Sequence, residues 1–389
     1  MSEATSRKTR RSGRLGALAC VAAMAVGCSG SSTPAPAPNA PVPGQPAPPV
    51  RAAPTAGPRI YVSDETGRDV VVIDPSSGTV VGRIEVGKRP RGLKLTKDGK
   101  QLMIALSGSP IGGPGVDESK LPPADRSADG IGVVDIASGK LVKKYNSGQD
   151  PESFDISPDG KFIYVSNEDA AEMSVLDLAS GQVTQRVKVG EEPEGVTVRP
   201  DGRVVYVSCE GENEVVAIDT TTYKVVGRLK TAARPRSIVF TPDGATAFIA
   251  TENGNAVNVA DATKHSVLET LKIPATEGTP TPPRPMGTII SPDASRVFVS
   301  LGRAKSVGVI DVATRKVLRT FENVGARPWG IGISPDGRKL YTANGPSGDV
   351  SIIDVANGSV EKRVNVGGSP WGVAVARPVP EATIAQPKQ

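Results

Sequence analysis

The 389-residue chain carries one histidine, three cysteines and two tryptophans. A Ser/His/Asp triad or a histidine-based metal centre would have to be built on His265 alone. No Cys-x-x-Cys-His segment occurs, which removes the attachment signature of a c-type haem. Cys20 and Cys28 precede the repeated part of the chain, so Cys209 stands alone there and has no partner for an internal disulfide. A long apolar run is also missing. The stretch from Leu15 to Gly27 is thirteen residues, short of the roughly twenty that a spanning helix requires. The basic excess is shallow as well: residues 1–27 hold five basic groups and one acid, and removing them from a formal charge of +5 leaves about +1. That balance gives no footing to a nucleic-acid partner, and none is expected.

What the N-terminal region has is the layout of an export signal. Arg7, Lys8, Arg10, Arg11 and Arg14 precede the small apolar run, which suits the middle region of a secretory signal over residues 1–27. The residues around Arg10 and Arg11 do not otherwise fit a twin-arginine pattern. Ala25-Val26-Gly27-Cys28 resembles a bacterial lipoprotein processing site, with Ala25 where Leu is commoner. Cys28 is then the lipid-bearing terminus, and several acyl chains at about 0.8 kcal/mol per buried methylene would hold the protein to a membrane. The other reading is ordinary cleavage after a small residue, leaving a soluble protein. Residues 28–58 form the anchor candidate and a Pro/Ala-rich linker, which could reach on the order of 90 Å if fully extended at about 3.1 Å per residue. Residues 377–389 are expected to be a disordered tail. The expected location is therefore outside the cytoplasm, as a periplasmic or cell-surface lipoprotein.

From Arg59 onward one pattern repeats seven times. Asp74, Asp135, Asp177, Asp219, Asp261, Asp311 and Asp354 end a Val-Ile-Asp-like strand, at separations of 61, 42, 42, 42, 50 and 43. Periods of this size mark solenoids, propellers or arrays. Each unit is strand and turn throughout, which selects a propeller. In Glu194 to Lys230, Gly195–Val198 and Val204–Ser208 flank Pro200-Asp201-Gly202, a hairpin turn in which Pro presets the bend and Gly accepts positive φ. Glu214–Asp219 and Lys224–Leu229 supply two more strands. The expectation is an all-β fold over residues 59–376, a seven-bladed propeller of four-stranded antiparallel blades. The chain enters at what would be a second strand and ends with an innermost-type strand, Trp371–Val375. One blade is thus composite, with three strands from the N-terminal side closed by one from the C-terminal end. The aspartates each open a short turn and are read as turn-formers. The same holds for Asp98, Asp159, Asp201, Asp243 and Asp336 in the hairpins.

Tyr164-Val165-Ser166-Asn167, Tyr206-Val207-Ser208-Cys209 and Tyr341-Thr342-Ala343-Asn344, with the Val-Ile-Asp, Val-Gly-x-x-Pro-x-Gly and Ser-Pro-Asp-Gly-Lys segments, resemble the YVTN repeat family from about Arg59 to Val375. Arg59–Asp64 and Arg89-Pro90-Arg91-Gly92 are similar to exported propellers associated with pyrroloquinoline-quinone-dependent alcohol catabolism. That resemblance implies a periplasmic role beside a quinoprotein or transporter. Other relatives of the fold carry haem or act on lactones. His265, in the turn after a third strand, is read as a surface turn residue, so neither chemistry has an evident centre, and no cofactor or metal is expected. Asp117, Glu118, Asp125 and Asp129 do not match the spacing of a calcium-binding EF-hand loop.

The copies differ most just before each innermost strand, around a shared Pro. These positions read Arg89 and Arg91, Asp150 and Glu152, Glu192 and Glu194, Arg234 and Arg236, Arg284 and Met286, Arg327 and Trp329, Ser369 and Trp371. A basic sector is interrupted by an acidic one, and both tryptophans occupy neighbouring blades. The two long spacings place insertions at about Ser109–Asp129 and Ile273–Pro283, on connections that reach the same face. The candidate site is this mouth: Arg89, Arg91, Arg234, Arg236, Arg284 and Arg327 for a carboxylate or phosphate, Trp329 and Trp371 for a flat ligand or a partner's hot spot, with Glu152 and Glu194 in the acidic sector. The competing reading makes these solvated loop charges and packing tryptophans. Cys209, beside Glu210 and Glu212, is read as an inert thiol. The expected function is a non-enzymatic, monomeric binding or scaffold protein for a small anionic ligand or an envelope protein. A lactonase-type hydrolase at the channel mouth is the alternative, and adhesion through the rim and linker is a third class.

Overall fold

The computed structural model describes residues 58–112, 117–275 and 281–376. The signal, Cys28, all but the last residue of the linker, and the C-terminal tail lie outside the described residues. Within them, twenty-eight strands form seven four-stranded antiparallel sheets. We number the blades 1 to 7 in chain order. Blade 4 shows the unit: Pro193–Val198 innermost, then Val204–Cys209, Glu214–Asp219 and the outer Val225–Lys230. Val204–Cys209 is buried throughout, and Glu214–Asp219 is buried up to its last residue. Neighbouring blades cover both faces of these strands, so they read as continuous apolar runs rather than alternating ones. The outer strand is largely exposed.

The core is distributed between blades. Tyr164, Met173 and Val175 of blade 3 pack with Val205, Val207, Val216 and Ile218 of blade 4, and corresponding clusters occupy the other interfaces. Each fully buried Val or Ile contributes about 1.5–3 kcal/mol, so every interface depends on both of its blades.

Blade 1 is composite, as the phase of the repeats requires. Pro370–Val375 pairs with Ile60–Asp64, in the register Ile60↔Val375, Tyr61↔Ala374 and Val62↔Val373. Ser369 N–H donates to Asp64 Oδ1 at 2.8 Å, and Gly372 N–H donates to Ser63 Oγ at 2.9 Å.

The serine of the Tyr-Val-Ser and Phe-Val-Ser segments explains part of the repeat. Ser63, Ser166, Ser208 and Ser300 donate across the blade interface to the carbonyls of Arg91, Glu194, Arg236 and Trp329 at 2.6–2.7 Å. That approach needs glycine after Pro-x. A Cβ on Gly195 would lie 2.4 Å from the Arg236 carbonyl oxygen, and one on Gly330 2.4 Å from that of Trp371.

The aspartate columns are turn-formers. Asp177 Oδ1 accepts from Ser180 N–H at 2.7 Å, and Asp243 Oδ1 accepts from Thr241 Oγ1 at 2.5 Å and Ala245 N–H at 2.9 Å. These bonds hold both carboxyls below the usual range. His265 sits in the turn after the third strand of blade 5 with φ 53°, at the blade end away from the mouth. Its Nδ1 is hydrogen-bonded with the Tyr206 hydroxyl at 2.9 Å, and burial lowers its pKa.

Candidate ligand site at the channel mouth

The innermost strands begin at Pro90, Pro151, Pro193, Pro235, Pro285, Pro328 and Pro370. In all seven, pairing with the second strand breaks over the two residues that follow Pro. Such irregularities re-aim a side chain out of the ladder, here the residue that varies between Arg, Glu, Met and Trp. The residue before Pro is left-handed in six copies, with φ from 44° to 60° at Arg89, Asp150, Glu192, Arg234, Arg284 and Arg327. A non-glycine residue is uncommon in that region, yet here it recurs with charged side chains.

The innermost strands surround a cavity of about 520 Å³, to which all seven blades contribute, as with Leu93, Phe154, Val196, Ile238, Ile289, Ile331 and Val373. Glu194, Arg236, Trp329 and Trp371 line its mouth end. This size suits a small ligand.

The arginines of the mouth divide into two kinds. Arg91 is 1% exposed; its guanidinium bonds Asp150 and the Pro151 carbonyl, pairs with Glu152, and lies 3.5 Å from Glu168. Arg89 Nε donates to Glu65 at 2.7 Å. In blades 4 and 5, Arg236 is 6% exposed and meets Glu194 at 2.7 Å, Glu210 at 2.8 Å and Glu252 at 2.9 Å. Arg234 Nε donates to Glu210 at 2.5 Å. Acids outnumber guanidiniums in both clusters. Burial, followed by repulsion from Glu194, therefore pushes the Glu210 carboxyl up to about 8 despite its arginine partners. Burial pushes Glu168 up to about 7.

Blades 6 and 7 differ. Among the described residues, no carboxylate lies within ion-pair distance of Arg284, Arg303 or Arg327. Arg284 Nε is buried without a hydrogen-bond partner. The Arg327 guanidinium stands 4.9 Å from the Trp329 ring centroid, with Arg236 at 5.0 Å from the same ring. Trp329 stacks on Trp371 at 5.8 Å and 25°. Burial lowers the Arg327 pKa; Glu252 opposes that, and Arg236, Arg303 and Arg234 add to it.

The expected arginine column is thus brought to one mouth, but Arg89, Arg91, Arg234 and Arg236 are occupied by carboxylates, as are Glu152 and Glu194 by arginines. Sequence reasoning missed Glu65, Glu168, Glu210 and Glu252. Each directly follows the second strand of its blade, where blades 2, 6 and 7 have Ser107, Gly302 and Gly345. Arg284 and Arg327 have no ion pair among the described residues partly because those glycines carry no carboxylate. Cys209 is fully buried, and burial, then Glu212 and Glu214, pushes its thiol up to about 12, in keeping with an inert role. The first insertion lies between the second and third strands of blade 2, where Asp125 pairs with Lys88 at 2.6 Å and Asp129 accepts from Gly108 N–H at 2.7 Å.

The fold is shared with distant solved structures. The periplasmic gluconolactonase of Pseudomonas aeruginosa superposes with a TM-score of 0.65 at 19% identity, covering 83% of this chain and 100% of that one. Hydrazine synthase of Kuenenia stuttgartiensis gives 0.60 at 21%, covering 73% and 88%. Antigen Lp49 of Leptospira interrogans is 29% identical over 137 residues, a match that spans 28% of this chain and 30% of the antigen. The family description of the YNCE-like beta-propellers matches residues 116–203 and 199–381. That is more than half of the chain, and the protein belongs to the YNCE-like beta-propeller family.

Proposed function

We propose that this propeller is a non-enzymatic binding protein that takes the anionic group of a small ligand or partner at its channel mouth. The observation that carries the reading is the pair Arg284 and Arg327, both half-buried and without a carboxylate in ion-pair range among the described residues, with Arg327 beside the stacked tryptophans. A partly desolvated guanidinium beside an aromatic face is suited to a carboxylate or phosphate, which it bonds bidentately. In the same proposal the protein is exported, tethered through Cys28, and serves as an accessory to a quinoprotein or transport system. The export-type N-terminus and the resemblance of Arg59–Asp64 and Arg89–Gly92 support that part. If Cys28 carries the anchor, Cys28→Ala releases the protein from membranes; unchanged fractionation rules out lipid tethering.

A lactonase remains the second reading because the fold is shared with a gluconolactonase. Glu168 and Glu210, raised to about 7 and about 8, are the acids with a matching proton affinity, but Glu168 lies against Arg91 and Glu210 is buried inside the Arg234–Arg236 cluster. The test is a thermal-shift panel of carboxylates, phosphates, sugar lactones, quinone cofactors and divalent ions, with lactone turnover followed in parallel. Stabilisation by carboxylates or phosphates without turnover supports binding. Lactone hydrolysis that survives purification and is lost in Glu210→Gln replaces it with the hydrolase reading.

A further inference from the structure

The channel below the mouth is as unevenly furnished as the mouth itself. On the side of blades 2 to 4 several of its polar groups are bonded to one another or to the backbone. Lys94 Nζ donates to Asp155 at 2.8 Å, and the other Asp155 oxygen accepts from Val198 N–H at 2.9 Å. Thr197 Oγ1 donates to the Ile238 carbonyl at 2.9 Å. On the side of blades 5 to 7 and 1 the wall is aliphatic, with Val239, Ile289, Ile290, Val373 and Val375 lining the cavity and each only partly buried. The hydroxyls on that side, Ser237 and Thr288, are bonded to each other at 2.8 Å. A second cavity of about 380 Å³ continues the same wall: it shares Ile289, Ile290, Val373 and Val375 and adds Ile333 and the turn prolines Pro242, Pro292 and Pro335.

Arg284 and Arg327, without an ion pair among the described residues, immediately precede the innermost strands that begin at Pro285 and Pro328, at the mouth end of this wall, where Met286, Trp329 and Trp371 line the cavity. From Trp371 to Val375 the wall runs four residue steps, about 13 Å at about 3.3 Å each. Below the tryptophans, a polar ligand body would face the side chains of Val239, Ile289, Ile290, Val373 and Val375 and would lose hydration against them. An alkyl chain would lose only water contacts.

We infer that the ligand is an amphiphilic acid whose anionic head meets Arg284 and Arg327 while its aliphatic chain lies along the channel wall of blades 5, 6, 7 and 1. This rests on the mouth being an anion site. Charge complementarity fixes the head at the arginines, and the continuity of the two cavities leaves room for a chain of medium length. Each methylene that enters the wall raises affinity roughly four-fold.

The experiment is calorimetric titration of the full-length purified protein with acetate, hexanoate and decanoate below their aggregation concentrations, with decanol as the uncharged control. From hexanoate to decanoate the affinity is expected to rise on the order of 100-fold, with decanol binding weakly and Arg284→Gln/Arg327→Gln weakening all three acids. Equal affinity for the three acids overturns the inference while leaving an anion site in place. Decanol binding as tightly as decanoate also overturns it, because the head would then contribute nothing. No binding by any of the acids removes the anion reading as well, with the inference.

Discussion

Arg236 and Arg327 both approach one indole, at 5.0 and 4.9 Å from the Trp329 centroid, and they have opposite surroundings. Arg236 is enclosed by Glu194, Glu210 and Glu252. Arg327 has no ion pair among the described residues. Two blades of the same repeat thus use the same residue type for different ends. In blades 2 and 5 arginine ties together the acids of the mouth; in blades 6 and 7 it has no ion pair among the described residues. The difference arises from one neighbouring column, glutamate after the second strand in blades 1, 3, 4 and 5 and glycine in blades 6 and 7.

The sharpest way to break this comparison is to remove each arginine. Arg236→Met leaves three acids without their shared cation and is expected to cost about 3–5 kcal/mol in urea unfolding. Arg327→Met is expected to change stability by about 0.5 kcal/mol or less. Equal losses would mean that the two arginines do the same work.

A second variant gives the open side what it lacks. Gly302→Glu restores the acid column beside Arg284 and Arg327; its Cβ would come no closer than 3.2 Å, to the Met286 Cγ, so the fold is expected to accept it. Binding of citrate, read by calorimetry, should weaken at least about tenfold, and undiminished affinity would contradict the assignment.

The closed side has a pH signature. Glu210 binds its proton more tightly in the folded chain than in the unfolded one, where a glutamate titrates at about 4.3. Between that value and about 8 the folded state holds the extra proton, so this residue's contribution to stability declines as pH rises through the window. Wild type is expected to melt a few degrees lower at about pH 8.5 than at about pH 5.5 on this account, and Glu210→Gln should flatten the decline. An identical pH profile for the variant would remove Glu210 from the explanation.

The smallest effect tests what the two sides share. Ser208→Ala and Ser300→Ala remove corresponding inter-blade bonds, to the carbonyls of Arg236 and Trp329. Each is expected to cost about 1 kcal/mol, and similar values would show that the frame is common and only the charge differs.

Much of the frame was legible because repetition exposes it. The Val-Ile-Asp column marked the third strands, and the phase at Arg59 and Trp371 predicted a composite blade, which the structure closes in the register Ile60↔Val375. The two tryptophans, read as one column in neighbouring blades, stack. What periodicity could not deliver was partnership. Arg91 and Arg236 looked like free cations because some of their acid partners, Glu168 for one and Glu210 and Glu252 for the other, come from a different point of the repeat. The signal was present in Asp64-Glu65, Asn167-Glu168, Cys209-Glu210 and Thr251-Glu252 against Leu301-Gly302 and Asn344-Gly345. Reading it requires knowing that the end of one second strand faces the start of the next innermost strand across the mouth. Likewise, the serine in Tyr-Val-Ser is a clip between blades, a role that only the three-dimensional closeness of Gly195 to Arg236 reveals.

The most direct test of the division is citrate titration of two double variants by calorimetry. Arg284→Gln/Arg327→Gln should abolish binding while leaving the melting temperature close to wild type, and Arg89→Gln/Arg234→Gln should leave binding nearly intact. Binding that survives the first pair and disappears with the second would place the anion on the closed side and contradict the account.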